Sequence, residues 1–338
     1  MSNIKEIVSR IHSINSTQQI TKTMKLVAAA KLTKAQHQLL QLRPYAHHLS
    51  TIVNQVLVNT DPSLLHSYIR KSKVQKLLLV IMSADKGLCG SFNANIIKKT
   101  DAFLKENSNL APEQIDLLVI GKKAYTYFQK KDYSLITTYQ SISTKLQFEA
   151  ANQATDWMIN AFITQQYDRI EFIYNLFGNA ASQFVQLEPF LPMVHPLAIK
   201  PGAPNNYIKT PTNLSMLASE KEGDVEQPEF TAANEDFEQF SEASRRQKAT
   251  LSNRFIYEPS QAELIERLIP LSLSIQFYKA LLESNASEHG ARMTTMSKAS
   301  DNAEALLKSL RITYNKTRQA SITNEILEIA AGAEALKN

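Results

Sequence analysis

The chain has 338 residues, with 37 basic and 32 acidic side chains and a formal charge of +5, and this length predicts more than one structural unit. It contains only eight glycines and one cysteine, Cys89, which argues against a glycine-rich nucleotide-binding chain and excludes an intrachain disulfide or a four-cysteine zinc site. The longest wholly apolar run, 77–82, is far shorter than the ~18 residues of a membrane-spanning helix, and the N-terminus has no apolar signal core, so we expect a soluble or peripheral protein.

The N-terminal segment, 1–60, carries one long heptad seam. Steps of three and four residues from Ile4 to Val56 give 16 positions, of which 13 are apolar. A seam of this length predicts a single long helix whose narrow apolar stripe faces another helix. The three polar positions stand together at Gln18, Thr21 and Lys25, where they fix register or mark contact with a different partner.

The C-terminal segment, 257–338, repeats this pattern. The same steps from Leu264 to Leu310 predict a second long helix over about 260–335. Its seam is also interrupted by polar residues, here Asn285, His289 and Arg292.

The segment between them, 70–195, alternates short apolar runs with helical patterns. The runs rich in β-forming residues cover 76–83, 116–121 and 169–177, and the helical patterns cover 93–106, 122–130 and 148–165. A further run, 183–190, predicts an antiparallel strand. The predicted fold class is therefore α/β, with a long antiparallel two-helix coiled coil formed by the terminal helices and a central Rossmann-like α/β domain.

The segment 196–256 has the composition of a solvated linker or insertion. Seven of the twelve prolines fall between Pro189 and Pro228, and residues 219–242 hold nine acids against the single base Lys221.

The two long helices are expected to lie side by side, because the ends of a domain usually lie close together on its surface. At 1.5 Å per residue the second helix outruns the first by roughly 20 residues. This overhanging tip contains Ile322, Ile326, Leu327 and Ile329, too broad an apolar surface for a free helix in water. The tip must therefore be buried by another protein or fray, and the pattern favours a partner that buries it.

No motif in the sequence supports catalysis. The turn Gly87–Gly90 follows a predicted strand, as phosphate-binding loops do, but it lacks both the Lys-Ser/Thr of a P-loop and the third glycine of a dinucleotide fingerprint. We interpret it as a tight structural turn, with an anion site as the alternative, and Cys89 as a packed thiol rather than a nucleophile. The seven histidines show no metal-ligand spacing, so we predict no catalytic, cofactor-binding or metal-binding residue.

Residues 1–60 form a basic segment with seven Lys or Arg against Glu6 alone. A solvated helix face is one explanation, and an external negative partner is the other. Aromatic residues do not interleave with these charges, which disfavours nucleic acid and favours an acidic protein surface.

Several longer motifs lie at both ends and in the middle of the chain. In chain order they are Ile20–Lys31 (ITKTMKLVAAAK), Arg43–Tyr45 (RPY), Ser83–Gly90 (SADKGLCG) with Phe92 and Asn93, Tyr257–Pro259 (YEP), Ser287–His289 with Ala291–Met293 (ARM), Asp301 with Asn302, and Tyr314–Thr323 (YNKTRQASIT). Together they resemble the gamma subunits of F-type ATP synthases, of the bacterial type. The match fails only across about 198–253. His289 and Gly290 replace a commoner small or polar pair, and we expect Gly290 to loosen the second helix.

The resemblance implies that the chain is a rotor shaft without an active site or cofactor. In the family, the coiled coil turns inside a ring of alternating alpha and beta subunits, and the α/β domain forms a foot above the c ring. Ion-driven rotation is thereby coupled to ATP synthesis or hydrolysis at the beta subunits. The resemblance also implies the epsilon subunit as a partner, no nucleic acid, and a peripheral position on the cytoplasmic face of the bacterial inner membrane.

Family positions carry over to four groups of residues. The expected contact with the beta-subunit lever is Lys22, Met24, Lys25 and Lys31. The expected tip contacts with beta-subunit loops are Arg318, Gln319, Thr323 and Glu325. Arg292 lies on the facing helix, and Tyr257 with Glu258 resembles the contact with epsilon and the c ring. Each could instead be an ordinary surface or seam residue of a coiled coil.

Two other classes of function stay open at this point. One is an α/β nucleotide-binding enzyme with helical arms, and the other is a coiled-coil scaffold or nucleic-acid binder. The missing phosphate-loop residues disfavour the first, and the motifs at both ends disfavour both.

Overall fold

The computed structural model describes residues 2–58, 60, 65–69, 74–143, 146–193, 258 and 260–335. The predicted linker, 196–256, and Tyr257 lie outside the described residues. No described helix is both long enough and apolar enough to cross a membrane.

Two helices of unequal length dominate the molecule. Helix α1 covers Ser2–Val58 and continues through Pro44, and helix α6 covers Gln261–Ala335. They run antiparallel, because Thr60, Arg43 and Lys25 of the first segment meet Gln261, Glu283 and Ser297 of the second in that order. In the middle of the pair the seam is formed by Leu32, Ala35, Leu39, Leu282 and Ala286, so the heptad interpretation is confirmed there.

The segment between these helices forms a five-stranded sheet with helices on both faces. In chain order the elements are α2 His66–Ile69, β1 Leu77–Met82, α3 Phe92–Glu106, β2 Ile115–Ile120, α4 Lys122–Phe128, β3 Ser134–Ile136, α5 Phe148–Ile163, β4 Arg169–Phe177 and β5 Gln183–Leu191. The strand order is β3-β2-β1-β4-β5, with the first four strands parallel and β5 antiparallel to β4. The predicted fold class is thus confirmed, while the sequence patterns missed the three-residue β3 and the short α2.

The two faces of the sheet bury separate apolar clusters. Leu77, Leu79 and Ile81 of β1 point to one face and pack beneath α3 and α4. Leu78, Val80 and Met82 point to the other face, where α5 and the bases of α1 and α6 cover them. Because side chains alternate along a strand, the unbroken apolar run of β1 serves both faces of a parallel sheet. The base of the helix pair is therefore one layer of the α/β domain.

The far end of α6 extends beyond α1. Among the side chains described at the two ends, 4 onward in α1 and up to 330 in α6, half-buried positions begin at Ile4 and end at Ser321. The described helix continues for roughly 20 Å past this point, at 1.5 Å per residue. Ile322 is 48 % exposed and Ile329 is 72 % exposed, as the overhang predicts.

Two loops at the carboxyl edge of the sheet are tied together at Gly121. This glycine follows β2 with φ of +91°, and a Cβ built on it would lie 2.0 Å from the carbonyl oxygen of Ser83. The Ser83 N–H donates to the Ile120 carbonyl at 2.8 Å, and the Ala124 N–H donates to Ser83 Oγ at 3.0 Å. A side chain at position 121 would break this joint as well as adopt a disfavoured backbone conformation.

We predict that Gly121→Ala lowers the free energy of unfolding by about 3 kcal/mol, since it combines left-handed strain with a backbone clash. Urea unfolding followed through Trp157, the single tryptophan, measures this in the α/β domain. Gly87→Ala is the matched control, because the nearest atom to its added Cβ is the flexible Lys123 side chain at 3.7 Å. A Gly121→Ala chain as stable as the Gly87→Ala chain would contradict the prediction.

Candidate functional site

A surface that combines apolar and basic side chains covers the middle of α1. Ile20, Met24 and Val27 follow helical spacing, and all three are exposed to solvent. Lys22 and Lys31, both exposed, lie beside them. Exposed apolar residues flanked by like charges are typical of a docking surface for an acidic partner.

Lys25 differs from the other predicted lever residues in its direction. Its Nζ donates to Ser297 Oγ of α6 at 3.0 Å, although the side chain remains exposed. It therefore bridges the two helices at the place where the seam turns polar. Neighbouring Thr21 and Gln18 are buried in that seam, and Thr21 Oγ1 donates to the Gln18 carbonyl at 2.9 Å.

The predicted tip residues share the exposed end of α6. Arg318, Gln319, Thr323 and Glu325 are all exposed. Thr323 Oγ1 donates to the Gln319 carbonyl at 2.9 Å, and Ser321 Oγ donates to Glu325 at 3.4 Å, both within the helix. These bonds leave the Arg318 guanidinium and the Gln319 amide facing solvent beside the apolar overhang. The arrangement can bind a partner that offers both apolar and hydrogen-bonding groups.

Arg292 lies on the inner side of α6, where it holds the loop after β1. One guanidinium nitrogen donates to Glu288 at 2.6 Å, and the other donates to the carbonyls of Lys86 and Gly87 at 3.2 and 3.4 Å. The half-buried ion pair and the two carbonyl bonds fix the turn against the helix. This is a structural role, and a role for Arg292 in contacts with another subunit stays a prediction.

Glu258 is exposed, and the structure brings it into no group with the other predicted residues.

Helix α6 fills the crevice where sheets of this topology bind ligands. The chain order reverses between β1 and β4, so the crevice lies at their carboxyl ends. There Ser287 Oγ donates to the Asn175 carbonyl at 3.0 Å, and a Cβ on Gly90 would lie 2.8 Å from Thr295 Oγ1. The tight-turn interpretation of Gly87–Gly90 therefore fits the structure. Arg292 of α6 binds the carbonyls of Lys86 and Gly87, and Thr295 of α6 lies against Gly90.

Cys89 is packed under this turn. Its side chain is 1 % exposed, and Sγ accepts a hydrogen bond from Asn93 Nδ2 at 3.1 Å. Burial raises the pKa of the thiol, and the positive charge of Arg292 opposes this only in part. The sulfur therefore behaves as a small packed group.

His289 lies next to Arg292 in the polar interruption of the second helix. It is 8 % exposed, and its Nδ1 is 3.3 Å from an Arg292 nitrogen. Burial, together with the charges of Arg292 and Lys31, lowers the pKa of His289 to about 4. The interruption seen in the sequence thus marks where α6 faces the sheet domain as well as α1.

Sequence reasoning missed a set of buried charges lower on α6. Lys279 and Glu283 are 8 % and 1 % exposed, and Arg43 of α1 and Glu188 of β5 lie beside them. Their only sequence signal is spacing, since positions 279 and 283 share a helix face next to the seam residues Tyr278 and Leu282. Nothing in the sequence alone distinguishes this face from a solvated one.

Comparison with known proteins agrees with this architecture. A family model described as ATP synthase matches residues 3–336. The ATP synthase gamma chain of Amoebophilus asiaticus is 58 % identical over 99 % of both chains, and that of Cytophaga hutchinsonii is 41 % identical over the full length of both. The chain belongs to the ATP synthase gamma chain family. The resemblance is therefore confirmed, and so is the expectation of a subunit of a larger complex rather than an enzyme in its own right.

Solved structures share the fold of this gamma chain. The central stalk of the Tetrahymena thermophila mitochondrial ATP synthase aligns with a TM-score of 0.52 at 23 % identity, covering 83 % of this chain and 99 % of that one. A chain of the Euglena gracilis mitochondrial ATP synthase, solved with OSCP, F1 and the c ring, aligns with a TM-score of 0.56 at 20 % identity, covering 99 % and 95 %.

The low pKa of His289 predicts that stability falls as pH is lowered. Below pH 6.5 the unfolded chain binds a proton at this histidine, whereas the folded chain stays neutral there until about pH 4. The folded state should therefore lose about 2 kcal/mol between pH 7 and pH 5 from this group. Buried Glu283 and Glu288, whose pKa values are raised, act in the opposite direction, so a variant must isolate the histidine.

The measurement is urea unfolding at pH 7 and pH 5 for wild type and His289→Asn. We expect the wild type to lose about 2 kcal/mol more than the variant over this interval. His37→Asn, at an exposed position of α1, should follow the wild type. Equal losses in wild type and His289→Asn would contradict a neutral buried histidine.

Proposed function

We propose that this gamma chain is the central rotor shaft of an F-type ATP synthase. Its two long helices turn inside a ring of alternating alpha and beta subunits, and ion flow through the c ring drives the turning. Rotation of an asymmetric shaft makes the three catalytic sites differ at any instant, which couples ion transport to ATP synthesis or hydrolysis. The chain itself contributes mechanical contact and no catalytic group.

The observation that carries this proposal is the exposed apolar end of α6. Ile326, Leu327 and Ile329 are more than half exposed on a single helix that has outrun its partner. Such a surface requires an enclosing protein in water, and an apolar sleeve formed by a ring of subunits meets that requirement. The similar Tetrahymena chain belongs to a central stalk with a c ring and a similar Euglena chain to a rotor, which supports the same arrangement.

The four groups of predicted residues take roles along this shaft. The surface of Lys22, Met24, Lys25 and Lys31 meets acidic lever segments of the beta subunits. Arg318, Gln319, Thr323 and Glu325 hydrogen-bond to beta-subunit loops near the tip. Arg292 lies on the facing helix, and Tyr257 with Glu258 contacts epsilon and the c ring.

The same proposal gives the chain its location and its division into units. It lies on the cytoplasmic face of a bacterial inner membrane and is held there through the c ring. Residues 1–60 and 257–338 form the shaft, 70–195 the foot, and 196–256 a linker or insertion. The alternative of a nucleotide-binding enzyme is disfavoured, because α6 occupies the crevice that a nucleotide would need.

Native mass spectrometry of the tagged chain, purified from its own cells in mild detergent, tests the rotor function. We expect one copy of the chain with a ring of two larger nucleotide-binding subunits. The stoichiometry is decisive, because a shaft is present once per ring. A free monomer or a homo-oligomer that binds nucleotide would overturn the proposal, and a steeply salt-dependent complex with nucleic acid would support the scaffold instead.

Charge reversal tests the basic surface of α1. We predict that the double variant Lys22→Glu and Lys31→Glu lowers the ATP hydrolysis rate of the assembled enzyme about threefold or more, because it places like charges against acidic levers. Lys25 is left unchanged, since it also bonds Ser297. The control reverses Lys98 and Lys105, both exposed on α3, and should leave the rate within about twofold. Equal ATP hydrolysis rates for the two double variants would contradict the proposed contact between α1 and the beta-subunit levers.

A further inference from the structure

A row of polar contacts joins one side of α6 to the β4–β5 hairpin. From the base of the helix upward, Gln276 Nε2 donates to Glu188 at 2.8 Å, and the Phe177 N–H donates to Glu283 at 3.2 Å. Higher up, Ser287 Oγ donates to the Asn175 carbonyl at 3.0 Å, and Thr294 Oγ1 donates to the Ala180 carbonyl at 2.8 Å. These contacts span about 27 Å of helix. The hairpin therefore follows the helix over five turns.

Gly290 lets the hairpin approach the helix backbone in this region. A Cβ at this position would lie 3.3 Å from Ala180 Cα and 3.3 Å from the Phe177 ring. The glycine is thus explained by close packing. Helix α6 continues through position 290, and a local loosening there stays a prediction.

Glu283 is the centre of the row. Its side chain is 1 % exposed, and it contacts the hairpin through one oxygen and lies 3.7 Å from Arg43 of α1 through the other. That second oxygen has no hydrogen-bond partner, so the charge of Arg43 is its main compensation from α1. Burial raises the pKa of Glu283, while Arg43 and Lys279 favour its charged form.

The buried charges around Glu283 balance as a set. Lys279 lies one turn earlier on the same face of α6, and burial lowers its pKa while Glu283 and Glu188 oppose that shift. Glu188 also accepts a hydrogen bond from the Tyr174 hydroxyl at 2.8 Å. Lys279 and Glu283 are buried, Glu188 is half-buried, and the Arg43 side chain, 37 % exposed, reaches this cluster from the surface. Two positive and two negative groups, supplied by α1, α6 and β5, thus lie together.

We propose that Arg43, Lys279, Glu283 and Glu188, the ionic joint, lock the angle of the helix pair relative to the α/β domain, so that torque passes between them. This inference rests on the proposed rotor function and names the residues that position the shaft for it. Apolar side chains hold the helices against the sheet, but their attraction has no direction. A turn of α6 by one residue would separate Glu283 from both Phe177 and Arg43 and leave a buried charge unpaired. Because a buried charge without its partners is strongly destabilising, the polar contacts fix the angle.

The test uses the whole ATP synthase in native membrane vesicles with variants of this chain. ATP hydrolysis and ATP-driven ion pumping, read with a potential-sensitive dye, are measured on the same vesicles. Hydrolysis needs the shaft to turn within the ring, whereas pumping also needs the α/β domain to follow the shaft. The ratio of pumping to hydrolysis therefore reports the joint, and a general loss of assembled enzyme lowers both rates equally.

Glu283→Gln keeps an acceptor for the Phe177 N–H but leaves the buried set with an excess positive charge. We expect hydrolysis within about twofold of wild type and a pumping ratio at least about threefold lower. Glu266→Gln, an exposed position on the same helix, is the matched control and should keep the wild-type ratio. The double variant Glu283→Gln and Lys279→Met restores the charge balance and should recover most of the ratio.

Two results would overturn the ionic joint. One is a wild-type ratio of pumping to hydrolysis in Glu283→Gln, whatever the level of the two rates, and the other is a double variant no better coupled than the single one. If Glu283→Gln does not assemble, the double variant decides, since it must both assemble and pump. Absence of the wild-type chain from the complex would overturn the rotor function and the joint together, whereas the other results leave the rotor function standing.

Discussion

The need to cover both faces of a parallel sheet determines how the rest of the molecule is arranged. One face is covered by α3 and α4, and most of the other is covered by α5 and the bases of the two long helices. Phe277 of α6 has its ring centroid 6.2 Å from that of Phe172 and 6.4 Å from that of Phe190. The helix pair cannot move away without exposing this apolar face to water. The bases of the helix pair and the α/β domain therefore share one core.

Periodicity in the sequence was enough to predict the helix pair, the parallel sheet and the antiparallel β5. These elements are long, and their apolar positions repeat with the spacing of the structure they form. Strand β3 was missed because its three residues are too few to establish a pattern, and it lies at the sheet edge with only partial burial. The turn at Gly87–Gly90 was interpreted correctly because a phosphate loop requires residues that are absent. What fills the crevice instead, Arg292 and its neighbours, depends on tertiary packing that spacing does not encode.

Parts of the candidate site could be predicted from the sequence, and parts could not. The exposed apolar overhang followed from comparing two helix lengths, and the basic face of α1 followed from counting charges. The buried charges could not be predicted, because a Lys and a Glu four residues apart on a helix usually face solvent. The β4–β5 hairpin, at Phe177 and Glu188, lies against Lys279 and Glu283 in the folded chain. The reason for Gly290 could not be predicted from the sequence either. The sequence suggested a weak point in the helix, whereas the structure explains the glycine by the close approach of Ala180 to the helix backbone.

The seam between α1 and α6 changes from large apolar residues at the base to polar residues farther up, and this affects how strongly the two helices hold each other. At its base the large residues Phe277, Leu273 and Leu281 share a core with the sheet domain. Midway the seam narrows to Leu32, Ala35 and Ala286, and farther up it becomes polar at Thr21 and Gln18. Less apolar area is buried per turn toward the tip, so the upper helices stabilise each other least where they carry the exposed apolar and basic surfaces. In the proposed rotor, the surrounding ring would supply the missing burial there, while the base obtains its rigidity from the chain's own core. Support from the ring and rigid attachment to the foot would then act at opposite ends of the same helices.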